Sequence, residues 1–365
     1  MDKRSVFLAL NALKGMTPRL FWKIVQDVAD PGRIFSMSEE RLTGMGLTRE
    51  MAGHILHERD PNRIADPEEH RVRDMGGKIL VHGDPGYPPA LMQIADPPPV
   101  LYFAGTILKE DRLAFAIVGS RAASTQGRLN AEKIAGKLAG LGLTIVSGLA
   151  MGIDTWAHQG ALMAGGRTIA LLGCGLDHTY PKYNRDLRER IAEHGALVSE
   201  FPMGTPPLPM NFPRRNRLIS GISMGTLVVE AAIKSGSLIT AKYALDQGRD
   251  VFAIPGNIRS PLSSGVNALI KKGAKLVQGV EDIIEEFPDE VRKYLKLNEK
   301  KVEERPEGQN REESRIMKLI HNEPVHIDEL TRETSMAPAA ISSLLMKLEM
   351  QGLVRQLPGK LFIRP

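Results

Sequence analysis

Residues 115–146 read FAIVGSRAASTQGRLNAEKIAGKLAGLGLTIV. An apolar run, Phe115–Val118, breaks at Gly119-Ser120-Arg121. A longer stretch with helical spacing follows, and a second apolar run, Thr144–Val146, closes the unit. The same alternation recurs as far as residue 279. The runs Thr168–Leu172, Leu197–Ser199, Thr226–Val229, Val251–Ile254 and Lys275–Val277 are separated by segments such as SLITAKYALDQG. Runs without polar alternation need cover on both faces, which a parallel sheet flanked by helices provides. The pattern predicts an α/β chain with a Rossmann-like, doubly wound, mainly parallel sheet.

Around this centre the composition changes. Residues 1–75 have helical spacing, with Val6, Phe7, Leu10 and Leu13 on one face. Two similar pieces, LKGMTPRLFWKIVQDV and LTGMGLTREMAGHIL, each place a small-residue turn before an amphipathic helix. They resemble a sterile-alpha-motif or helix-hairpin-helix module, which either packs or touches a DNA backbone. Residues 76–285 form the extended Rossmann-like domain, entered through the proline-rich GDPGYPPALMQIADPPPVLYFAG at 83–105. Residues 286–312 read as a charged linker. Residues 313–365 predict three helices and a hairpin about Pro358-Gly359, the winged-helix order. The net charge of this tail is +1, and its third helix holds Lys347 and Glu349, so protein contact competes with groove reading.

The 365 residues suffice for about two or three domains. A single cysteine, Cys174, excludes an internal disulfide framework, and no Cys/His cluster has zinc spacing. No apolar run reaches the ~18 residues of a membrane span, so a cytoplasmic protein is expected. Net charge is +5. Residues 111–280 hold 20 Lys+Arg and 11 Asp+Glu, hence 20 − 11 = +9, and leave −4 for the rest. A basic middle third favours a polyanionic ligand.

Five segments fall at successive strand ends, where helix N-termini present free N–H groups to anions. In AIVGSRAASTQG, Gly119 allows close backbone approach, Ser120 offers a hydroxyl and Arg121 a phosphate-matching fork. The spacing fits neither a dinucleotide fingerprint nor a P-loop, and no cofactor or metal is expected. In VSGLAMGIDTWAHQGAL, Asp154 reads as a helix N-cap, with His158 one turn on. In LLGCGLDHTYPKYNRDL, Tyr180 and Lys182 suit base stacking and backbone neutralisation. PRRNRLISG gathers Arg214, Arg215 and Arg217 with the amide of Asn216 at one strand end. Ser237, after Ser235-Gly236, opens another anion-receptive helix. Glu230 is either a general base or the partner of one of these arginines. VFAIPGNIRSPLSSG supplies the fifth turn, at Pro255-Gly256-Asn257.

In this order GSR, SGLAMGID, GCGLDHTYPKYN, NFPRRNRLISG, VVEAAIKSGSLITA, GRDVFAIPG and GVNALIKKGA resemble the DNA-processing protein A (Smf) family across roughly residues 80–280. The resemblance implies a non-enzymatic single-stranded-DNA-binding protein of natural transformation. Such a protein protects incoming strands, loads the RecA recombinase and acts as a homodimer. It also implies DNA contacts at Arg121 and Lys182 and within Arg214–Arg217. The competing reading is enzymatic: GISMGTLVVE is similar to the glycine-rich Gly-Thr-x-x-Glu region of nucleoside-monophosphate phosphoribohydrolases. A winged-helix transcription factor with a nucleotide-sensing core is the third.

Overall fold

The computed structural model describes residues 2–295, 311–320, 324–334 and 336–364. The chain divides into two compact units, Met1–Lys293 and Tyr294–Pro365. Residues 296–310, most of the expected linker, lie outside the described residues.

The larger unit is built on a nine-stranded sheet of order β1-β2-β6-β5-β4-β3-β7-β8-β9. Seven of its strands are the apolar runs read from the sequence. They are β3 (Ala114–Val118), β4 (Thr144–Ser147), β5 (Thr168–Leu171), β6 (Ala196–Ser199), β7 (Gly225–Val228), β8 (Asp250–Ala253) and β9 (Lys275–Leu276). All six pairings among them are parallel. Strands β3 to β7 are buried along their whole length, which accounts for their lack of polar alternation. The remaining two strands, β1 (Lys78–Val81) and β2 (Val100–Gly105), add an antiparallel edge beside β6. The first of these has no counterpart in the sequence reading. It has four residues, only Val81 is fully buried, and its lysine faces water.

The N-terminal helices pack against the β1–β2 edge of this sheet. Phe7, Phe21, Ile24 and Ile55 share a continuous core with Tyr102, Leu172 and Leu197. The two similar pieces fold alike. Thr17 caps the helix Pro18–Gln26 and Thr48 caps Arg49–Glu58, each through a 3.2 Å bond to the third residue beyond. The smaller unit contains the helices Arg311–Leu319, Ile327–Thr334 and Pro338–Met350. Its hairpin, β11 (Arg355–Leu357) and β12 (Leu361–Ile363), is joined by a short β10 (Val325–His326). Ile316, Leu330, Ile341, Leu345 and Phe362 fill its core. This is the winged-helix arrangement.

Candidate nucleic-acid interface

Strand β3 lies between β4 and β7. From β3 the chain winds outward through β4, β5 and β6, then returns to β7 and winds the other way. At such a reversal the loops leaving neighbouring strands diverge and open a crevice beyond the carboxyl ends. A cleft of about 510 Å³ lies there. Gly119, Ser120 and Arg121 line it from the end of β3, and Ala150 and Asp154 from beyond β4. Phe212, Arg215 and Asn216 come from the helix Asn211–Ile222, and Ser235, Gly236 and Ser237 from the start of Ser237–Asp246. The cleft therefore gathers Gly119, Ser120, Arg121, Arg215, Asn216 and Ser237 from the expected set. Lys182, Arg214 and Arg217 do not line it.

The floor is locked by backbone. The Ser120 amide donates to the Glu230 carbonyl at 2.7 Å, and the Ile153 amide donates to the Ser120 carbonyl at 3.1 Å. Gly152 sits at φ +80°, and a Cβ there would stand 2.2 Å from the Ser120 oxygen, so only glycine fits. Asp154 does not cap its own helix. It is the second residue of Ile153–Met163 and accepts from the amides of Gly148 (3.1 Å) and Ala150 (3.3 Å), holding the incoming loop. His158 pairs with Thr168 at 2.6 Å, not with Asp154. Burial lowers the imidazole to about 3, assisted by the nearby Arg215 charge.

The arginine cluster is helical rather than a strand-end loop. Pro213 falls in the first turn, where its missing N–H costs nothing. At about 100° per residue, positions 214 and 217 share one face and 215 and 216 turn away. Arg217, 6 % exposed, meets Glu200 at 2.5 Å, and Arg214 meets the same carboxylate at 3.2 Å. Arg214 also donates to the Met16 carbonyl at 3.1 Å and lies over the Phe201 ring. These two guanidinium groups are spent inside the protein. Arg215, 3 % exposed, donates to the carbonyls of Gly148 and Leu171 at the ends of β4 and β5. Burial lowers its pKa to about 10, with the Asp154 charge opposing, while burial raises the Asp154 carboxyl against the pull of Arg215.

The exposed cation of the cleft is Arg121. Its guanidinium lies 5.2 Å over the Phe212 ring, which in turn meets Tyr180 at 5.3 Å. Phe212 carries little signal in the sequence: an aromatic residue two positions before an arginine pair is all that marks it. Tyr180 leads into the 3-10 turn Lys182–Asn184, where Lys182 and Tyr183 are exposed. Asn184 pins this turn by donating to the Leu149 carbonyl (3.0 Å) and the Thr155 hydroxyl (2.9 Å).

The groups that suggested chemistry are otherwise engaged. Glu230 accepts from the Ser124 amide (2.9 Å) and hydroxyl (2.5 Å), and Ser124 caps the helix Thr125–Gly140. It orders a helix end, not an arginine. Cys174 is buried, and that burial pushes its thiol up to about 11. Among the described residues no cluster of three or more His, Cys, Asp or Glu side chains could hold a metal ion.

A family model described as DNA recombination-mediator protein A matches residues 78–288, and one described as DprA winged helix domain matches residues 301–360. Protein Smf of Synechocystis is 34 % identical over 100 % of this chain and 99 % of its own length. The structure of DNA processing protein A from Streptococcus pneumoniae superposes with a TM-score of 0.67 at 36 % identity, covering 79 % of this chain and 99 % of that one. Its Helicobacter pylori counterpart, studied for its single-stranded DNA binding mode, superposes at 0.52 and 32 % identity over 57 % and 94 %.

Proposed function

The chain belongs to the DNA recombination-mediator protein A family, also called DprA or Smf, and from that premise we propose that it holds single-stranded DNA across the cleft without turning it over. One observation carries the reading. Arg121 over Phe212, continued by Tyr180 and Lys182, forms a cationic and aromatic path along several strand ends rather than an enclosed nucleotide pocket. Stacking faces beside phosphate-neutralising cations are what an unpaired strand requires. The single-strand binding studied in the Helicobacter pylori relative supports the same assignment.

On this reading the protein works in the cytoplasm in the processing of incoming DNA, as a homodimer, and delivers the strand to the RecA recombinase. No helix among the described residues is long and apolar enough to cross a membrane. In the smaller unit, Lys347 of the third helix is tied to the buried Glu313 at 2.7 Å. That favours protein contact over groove reading for this unit. The phosphoribohydrolase reading needs a free carboxylate at Glu230, and Ser124 occupies it with two hydrogen bonds.

The test is electrophoretic retention of single-strand and duplex oligonucleotides across a salt series. Arg121→Ala with Lys182→Ala should abolish most single-strand retention and leave the thermal midpoint unchanged. The log–log salt slope should become shallower by about 1.4, at ~0.7 for each phosphate no longer neutralised. Parent-like retention by the double variant would refute the assignment, and release of free base from a nucleotide panel would restore the enzymatic one.

A further inference from the structure

Two loops beside the cleft hold isoleucines out in water. One follows β7 and carries Ile233, 69 % exposed, then Lys234. The other follows β8 and carries Ile258, 93 % exposed, then Arg259. Strands β7 and β8 are parallel neighbours, so both loops leave the same edge of the sheet. They are tied to each other: the Ala231 amide donates to the Leu262 carbonyl and the Gly265 amide to the Ala231 carbonyl, both at 2.8 Å. The second loop is braced from within. The Asn267 side chain accepts from the Gly256 amide (3.2 Å) and donates to the Gly256 carbonyl (3.0 Å). These exposures are built in by hydrogen bonds. Lys234 and Arg259 are both exposed and form no ion pair among the described residues.

The first loop runs directly into Ser235-Gly236-Ser237, the wall of the cleft. We infer that Ile233-Lys234 and Ile258-Arg259 form a second station for the same single strand, beyond the cleft on the β7–β8 side. The inference rests on the single-strand reading above. Each loop offers an apolar side chain to a base face and a cation to the adjoining phosphate. Aliphatic side chains serve as such wedges elsewhere in nucleic-acid recognition. A protein partner would favour a patch whose centre is depleted of charge; here each of the two isoleucines is followed by a cation without an ion-pair partner among the described residues. The strand would run from Lys182 and Tyr183, over Phe212 and Arg121, past the start of the helix Ser237–Asp246, and onto these loops.

The experiment uses the full chain, a short oligothymidylate that fills the cleft alone, and one several times longer. Lys234→Ala with Arg259→Ala should weaken the long oligonucleotide roughly tenfold or more at about 0.1 M salt and make its salt slope shallower by about 1.4. Binding of the short oligonucleotide should be unchanged. Ile233→Ser with Ile258→Ser should weaken the long oligonucleotide and leave the slope as in the parent. All four side chains are exposed, and unchanged thermal midpoints would show that folding is intact. Parent-like affinity and slope for the long oligonucleotide in the charge variant would overturn the second station. Altered self-association in sedimentation by the isoleucine variant, with DNA binding intact, would overturn it in favour of a protein surface. A parent that retains neither oligonucleotide would instead defeat the single-strand reading itself.

Discussion

Arg215 and Arg121 line one cleft and do opposite work. Arg215 is enclosed, bonded to the ends of two strands and balanced against Asp154. Arg215→Ala would leave a buried carboxylate without its counter-charge, at a cost of about 3 kcal/mol or more, measurable by urea unfolding. Arg121→Ala should leave unfolding unchanged and remove DNA affinity. Phe212→Ala should weaken single-strand binding by about 1–3 kcal/mol, the range for removing one base stack, while Phe212→Trp should retain it. His158 sets an acid limit. Its pKa falls from 6.5 to about 3 on folding. A depressed folded value means the contribution is present above 6.5 and is lost as pH falls towards 3. Between pH 6.5 and 5 the parent should lose about 2 kcal/mol through this group, and His158→Gln should lose correspondingly less. In the sequence these arginines are alike. Nothing local distinguishes Arg217, paired with Glu200, from Arg121, which is exposed, because the carboxylate lies 17 residues away across a loop.

The strands are legible in the sequence because burial on both faces leaves uninterrupted apolar runs, as AFAIV and TLV show. The helix Asn211–Ile222 is not. Its proline and dense charge imitate a loop, and only the structure turns 214 and 217 inward and 215 and 216 towards the cleft. β1 escapes for the opposite reason: four residues at a sheet edge, only one of them fully buried, carry too little pattern. Glu230 shows how a motif can mislead about role. It reads as a general base or as the partner of an arginine, yet it holds Ser124 at the head of the helix Thr125–Gly140. Ser124→Ala removes that cap and deprives the carboxylate of the hydroxyl donor, so it should cost about 1–2 kcal/mol in thermal unfolding.

At the scale of the molecule, the cleft belongs wholly to the unit Met1–Lys293. Removing Tyr294–Pro365 should therefore leave single-strand affinity within about twofold, a shift of about 0.4 kcal/mol, by the same electrophoretic assay. The sheet order has a different consequence, which concerns synthesis. β3 is completed on one side by β4 soon after it leaves the ribosome. On the other side it waits for β7: Ala116 pairs with Thr226, so 226 − 116 = 110 further residues must be translated first. For that interval AFAIV is an unpaired, wholly apolar strand edge, the kind of surface that recruits other chains. One wall of the cleft is also missing until Ser235-Gly236-Ser237 emerge. A nascent chain thus passes through a stage that is prone to aggregate and lacks a complete cleft, and the emergence of residues 225–237 ends both conditions almost together.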